Sequence, residues 1–178
     1  MVDRICELVS PLGVTSERVR DLRAAARAIR AIQVDIEAPG IVVTGELLRL
    51  LPTMMAALDE AGVNWRVPDD LDQARDAPLG VTLVKAAVAE TGSVVLAEET
   101  LGDRGVGLLS LVNIMLIPVE DVVPSLVEAA AIIRAVALKG GYATLVTGPS
   151  RTADIEMSLT VGVQGPARVH YLFVESLR

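Results

Sequence analysis

Three stretches of this 178-residue chain gather side chains able to do chemistry: "AETGS", "LGDRGVG" and "VTGPSRTADIE". In the last, Thr147, Gly148, Pro149 and Ser150 let the chain turn sharply, which leaves backbone N–H groups free to meet an anion. Arg151 can add a guanidinium fork for a carboxylate or a phosphate. The same residues also read as a capped helix start, with Ser150 or Thr152 satisfying orphan amides and Asp154 and Glu156 complementing the helix dipole. Both readings stand on the residues alone. The spacing is not that of a phosphate-binding loop, because the glycine pattern and its lysine are missing, so no nucleotide is implied.

Glu90 stands between an apolar run and a Thr-Gly turn. Partial desolvation there would raise its pKa and suit it to proton transfer or nucleophilic attack, although an exposed turn acid has the same local sequence. Thr91, Gly92 and Ser93 continue the turn, and Arg104, set between Gly102 and Gly105, is a further candidate anion donor. His170 opens an alternating apolar segment, where a lone histidine is more often packed or hydrogen-bonded than catalytic. No spacing links it to Ser150 as a catalytic pair. Cys6 is the sole cysteine, so no internal disulfide forms, and with one histidine every zinc or iron-sulfur motif built from several Cys or His is excluded. The residues imply no cofactor and no metal site.

The elements that must position these residues follow from composition and pattern. Apolar residues make up 52% of the chain and aromatics 2%, so Ala, Val, Leu and Ile must build the core. Such cores suit a sheet covered by helices. A net charge of -7 with only two lysines, Lys85 and Lys139, argues against nucleic acid and anionic membranes as partners. The longest apolar candidate, "GLLSLVNIMLIPV", is broken by Ser110, Asn113 and Pro118 and reads as a buried strand, so no membrane insertion is expected. The first residues, "MVDRICELVS", lack a signal-peptide core, which points to a cytoplasmic protein.

Along the chain, residues 16–36 show apolar positions at three and four spacings and read as one amphipathic helix capped by Thr15 or Ser16. "IVVT" is a short buried strand, and "GELLRLLPTMMAALDEAG" is helical with a kink or restart at Pro52. "VNWRV" is a strand, and "DDLDQARD" holds at most a helical turn. "VTLVKAAVAETGSVVLAEE" reads as a β-hairpin about its Thr-Gly turn, with a helical first arm as the alternative. "LGDRGVG" reads as a loop, "LVNIMLIP" as a strand, and "PSLVEAAAIIRAVALKGG" as an amphipathic helix. "YATLV" and the segment after the 162–166 loop are the last strands. The expectation is an α/β fold with a mainly parallel sheet, flanking helices and one hairpin: an N-terminal helical segment, 1–38, packed on the same domain as residues 39–178.

"AETGSVVL", Arg104, "LLSLVNIMLIPVEDVVPSL" and above all "TGPSRTADIEMSLTVGVQGPARVHYLFVE" together resemble the LUD domain family, in particular its LutC-type lactate-utilisation members. The resemblance covers about residues 80–175 well and the preceding region in layout only. It implies a cytoplasmic protein acting with two iron-sulfur partner proteins in the oxidation of L-lactate to pyruvate. The leading expectation is an accessory or regulatory subunit that binds a small anionic metabolite among Glu90 to Ser93, Arg104 and Gly148 to Arg151, with Asn113, Asp154, Glu156 and Gln164 as further ligand-binding candidates. The resemblance also implies the three-layer sandwich of ribose-5-phosphate isomerase, glucosamine-phosphate deaminase and CoA-transferase domains. The family usually carries histidine where this sequence has Asn113 and Gln164, so an ionisable ring is lost at both. A rival expectation is a stand-alone enzyme acting on a sugar phosphate, acyl or CoA substrate, because the Glu-x-Gly setting of Glu90 is similar to that of the CoA-transferase nucleophile.

Overall fold

The computed structural model describes residues 1–152, 160–162 and 165–177. Its centre is a six-stranded, fully parallel sheet in the order β1 (Thr15–Asp21), β11 (Arg168–Ser176), β6 (Val112–Pro118), β4 (Leu79–Val88), β2 (Ile41–Val43), β3 (Trp65–Arg66). β6 is buried at every position, as expected for a strand covered on both faces. Ile114 and Leu116 point to one core and Met115 and Ile117 to the other.

The first core packs that sheet against α2 (Leu22–Asp35), α3 (Gly45–Leu50) and α4 (Thr53–Glu60) through Ile29, Leu47, Met54 and Leu58. The second core lies under α1 (Val2–Val9), whose Ile5 and Val9 meet Tyr171 and Phe173. The mostly parallel α/β architecture expected from the sequence is present. Among the described residues, no helix is long and apolar enough to cross a membrane.

β4 carries the fold's main departure from a simple parallel sheet. Its first half, Leu79 to Leu83, pairs with β6, and its second half pairs antiparallel with β5 (Val94–Glu98), which forms the expected hairpin. A register shift between Val84 and Ala86 marks the crossing, with Lys85 as the extra residue. β5 then pairs with β8 (Tyr142–Val146), and β7 (Val122–Val123) pairs with the end of β4. This second layer is covered by α7 (Leu126–Leu138), which starts in a capping box of Ser125 and Glu128.

Three local readings change. Residues 16–36 are not one helix: β1 occupies Thr15–Asp21, and α2 begins at Leu22, capped by the Asp21 carboxylate accepting from the Ala24 amide at 2.8 Å. The open edge of β11 supplies hydrogen bonds that a local period cannot foresee. "LGDRGVG" is not a loop but part of α6 (Leu101–Leu109), capped by Thr100. Its glycines serve close approach, since a Cβ on Gly102 would lie 2.1 Å from the Pro68 carbonyl oxygen and one on Gly105 2.6 Å from Ala74 Cβ of α5 (Leu71–Ala74). After Ser150 the chain enters β9 (Arg151–Thr152), paired with β10 (Thr160–Val161), where a helix start was one expectation.

Candidate functional site

The turn 90–93 and the loop 147–150 do converge, at the far end of the second layer. Ser93 amide and Thr91 hydroxyl are hydrogen-bonded at 3.2 Å, Thr91 Oγ1 donates to Ser93 Oγ at 2.8 Å, and Ser93 Oγ meets Thr147 Oγ1 at 2.6 Å. Tyr171, fully buried on β11, donates its hydroxyl to the Gly92 carbonyl at 3.1 Å and is also bonded by the Gly148 backbone. Burial, opposed by that backbone bond, holds the phenol well above its ordinary pKa. The amides are spent within the protein: Thr91 and Gly92 bond the Val88 carbonyl and Ser150 the Pro166 carbonyl. Ser93, Thr147 and Tyr171 therefore latch two loops together.

The remaining residues singled out by sequence lie around or beyond this latch. Glu90 accepts from the Leu126 amide at 3.1 Å on the surface, capping α7. Pro149 is half-buried, and the Arg151 guanidinium donates to the Leu12 carbonyl. Arg104 is elsewhere: it lies over the ring of Tyr142, 3.9 Å from its centre, at the opposite end of β8 from Thr147. Asn113 is fully buried, accepting from Thr82 Oγ1 at 3.0 Å and donating to the Val106 carbonyl at 2.9 Å. His170 is hydrogen-bonded to Thr15 across β1 and β11, and burial, reinforced by Arg168, lowers its pKa. Asp154, Glu156 and Gln164 lie outside the described residues.

A cleft of about 580 Å³ opens instead between α7 and the strands, past the carboxyl end of β2 and of the half of β4 that pairs with β6 and beside β5, lined by Glu46, Lys85, Ala97, Glu99, Val136 and Lys139. This is the side on which open α/β sheets take ligands. Its charged pair is built by two elements. β2 runs into α3, whose first amides are held by the Asp103 carboxylate of α6, Gly45 at 2.6 Å and Glu46 at 3.4 Å. That anchors the buried Glu46 carboxylate, which meets Lys85 Nζ at 2.9 Å. The bulge in β4 turns Lys85 out of a strand that is otherwise buried at every position.

Arg49 reaches Glu99 at 2.9 Å and Glu46 at 3.7 Å. Burial and the neighbouring Glu120 raise the pKa of Asp121, while Lys85 acts in the other direction. The arrangement offers an ammonium fixed by a buried carboxylate on the strand side of the cleft, with the second ammonium of Lys139 at the end of α7 on the other side, two cations of the kind that bind a small carboxylate or phosphate. Sequence reasoning passed over Lys85 and Glu46. The available signals were a lysine inside "VTLVKAAV" and an acid one residue past a strand-to-helix turn.

A second buried carboxyl stands behind the cleft wall. Glu98 accepts from Thr144 Oγ1 at 3.3 Å, while its Oε1 has no hydrogen-bond partner and abuts Gly107, where a Cβ would lie 2.7 Å away. Desolvation, only partly opposed by the Thr144 bond and Arg104, pushes its pKa up to about 7. Among the described residues, no group of three or more His, Cys, Asp or Glu is placed to hold a metal ion.

Fold and cleft thus define an α/β domain in which parallel strands deliver a charged pair to a ligand-sized opening. The chain belongs to the LUD domain family, whose model matches residues 19–174. It is similar to lactate utilization protein C of Bacillus licheniformis, 39% identical over 111 residues, covering 60% of this chain and 46% of that protein. The corresponding proteins of Geobacillus kaustophilus and Bacillus subtilis are 38% and 36% identical, with 59% and 60% of this chain and 45% and 46% of theirs covered. The match thus spans less than half the length of these relatives. In fold the chain resembles a crystal structure of a DUF162 family protein from Deinococcus radiodurans, with a TM-score of 0.70, 18% identity, and 98% of this chain and 96% of that one covered.

Proposed function

We propose that this protein serves lactate utilisation as an accessory or regulatory subunit that binds a small carboxylate anion and acts with iron-sulfur partner proteins. Its similarity to lactate utilization protein C of several bacilli supports the process. The observation that carries the ligand is the Lys85–Glu46 pair, 2.9 Å apart on the wall of the 580 Å³ cleft. An incoming carboxylate accepts a hydrogen bond from one of the Lys85 N–H groups that Glu46 leaves free, and Lys139 balances its charge. Glu46 keeps Lys85 in place before the ligand arrives, so little side-chain ordering remains to oppose binding. The electrons of lactate oxidation go to the partners' clusters, because this chain has one cysteine and cannot ligate such a cluster itself.

Titration calorimetry of the full chain with L-lactate, pyruvate and inorganic phosphate tests the site. Binding of at least one of these anions, lost in Lys85→Met, is expected. Growth on L-lactate of a strain lacking the gene, restored by the native chain and not by Lys85→Met, tests the role. No heat with any of the three anions, or full growth with Lys85→Met, overturns the proposal.

A further inference from the structure

The cleft is larger than its charges alone require. Its volume of about 580 Å³ falls within the roughly 300–1,000 Å³ of pockets that enclose ligands of drug size. Lactate, a three-carbon acid, would leave most of that space to solvent.

The helix side of the cleft is apolar. Ile132, Ala135 and Val136 stand three and four positions apart on α7, so they share one face of the helix, and all three line the cleft together with Ala97 of β5. None of these four side chains carries a polar atom. Ile132 and Val136 are only half-buried and Ala135 is exposed, so apolar surface on this wall is still in contact with water. Lys139 follows one turn beyond Ala135, at the end of the helix.

The charges around that wall favour a single anionic group. Glu46 is paired with Lys85 at 2.9 Å and Glu99 with Arg49 at 2.9 Å, whereas Lys139, among the described residues, is in no ion pair. One carboxylate balances that excess charge. A second on the same ligand would approach Glu46 or Glu99 and be repelled.

We infer that the ligand of this cleft is a monocarboxylate with an aliphatic tail, its carboxylate on Lys85 and its tail along Ile132, Ala135 and Val136. The inference rests on the anion site proposed above and adds the body that the anion carries. Each methylene laid on the wall removes apolar surface of both ligand and helix from water, so affinity grows with tail length until the wall is covered.

Titration calorimetry of the full chain with acetate, butyrate, hexanoate and octanoate tests this. Affinity should rise about threefold to fourfold for each methylene that reaches the wall. Hexylamine, with a similar tail and the opposite charge, should not bind, and Lys85→Met should abolish hexanoate binding. Ala135→Phe fills the space of the tail from an exposed position and should erase the gain from acetate to hexanoate, with circular dichroism showing that the fold is kept. Equal affinity for acetate and hexanoate in the native chain overturns the inference and leaves the small-anion site standing. No heat with any carboxylate, L-lactate included, removes that site and the inference with it. A dependence on tail length that survives Lys85→Met, or that hexylamine shares, puts the tail elsewhere on the molecule and overturns the inference as well.

Discussion

Lys85 Nζ and Glu46 Oε1, 2.9 Å apart, join the bulge of a central strand to the first turn of α3. Glu46 is 6% exposed and Lys85 23%. Removing the cation strands a nearly buried carboxylate, with only the longer Arg49 contact left. Lys85→Met is expected to lose about 2–4 kcal/mol of stability, measured by urea unfolding. The double variant Lys85→Met/Glu46→Leu should recover most of that loss, since no uncompensated charge remains, while anion binding stays absent.

Glu98 makes stability depend on pH. Its folded pKa is raised from 4.5 to about 7, so between those values the native state holds a proton that the unfolded chain has released. Stability from this group is therefore full below the unfolded value, falls as pH rises, and is spent above about 7. The native chain should lose up to about 3 kcal/mol between about pH 5 and pH 8 through this residue. Glu98→Gln, which keeps an acceptor for Thr144, should flatten that part of the profile and be the more stable protein on the alkaline side. Unfolding midpoints across the range check both statements.

Tyr171→Phe removes the hydroxyl that ties the Gly92 turn to the Gly148 loop. The buried Gly92 carbonyl then lacks that donor, and a loss of about 1–2 kcal/mol is expected in chemical unfolding. Amide exchange should quicken at Ser93 and Gly148 together, because the latch couples the two loops. Quickening at one loop alone would mean the loops are held independently.

Gly92 adopts a φ of 74°, and a Cβ there would lie 2.6 Å from Val9 Cγ1. Gly92→Ala combines left-handed strain with a clash against α1, and should lower stability by about 2 kcal/mol or more. Adding Val9→Ala removes the clash and leaves the strain. The double variant should therefore lose less than the sum of the two single changes, a coupling that thermal unfolding of all four proteins measures.

Much of the framework was legible in order along the chain. The apolar runs "IVVT" and "LVNIMLIP" became β2 and β6, the Thr-Gly turn became the β4–β5 hairpin, and the amphipathic "PSLVEAAAIIRAVALKGG" became α7. Each depends on residues within a few positions of one another, where side-chain period and turn chemistry act directly. Family membership, too, was carried by local strings such as "TGPSRTADIE".

Contacts between distant residues decided the rest. Thr15–Asp21 became a strand because β11 presented an open edge, although its spacing also fits a helix. The glycines of α6, which as sequence suggest a loop, admit Pro68, Ala74 and Glu98. Thr91, Ser93 and Thr147 did meet, but Arg104 went to Tyr142 at the other end of β8, and the charged cleft formed from Glu46 and Lys85. Period and capping fix which residues are buried or turn; which charge faces which depends on how strands are ordered in the sheet, and that order is written only in the assembled fold.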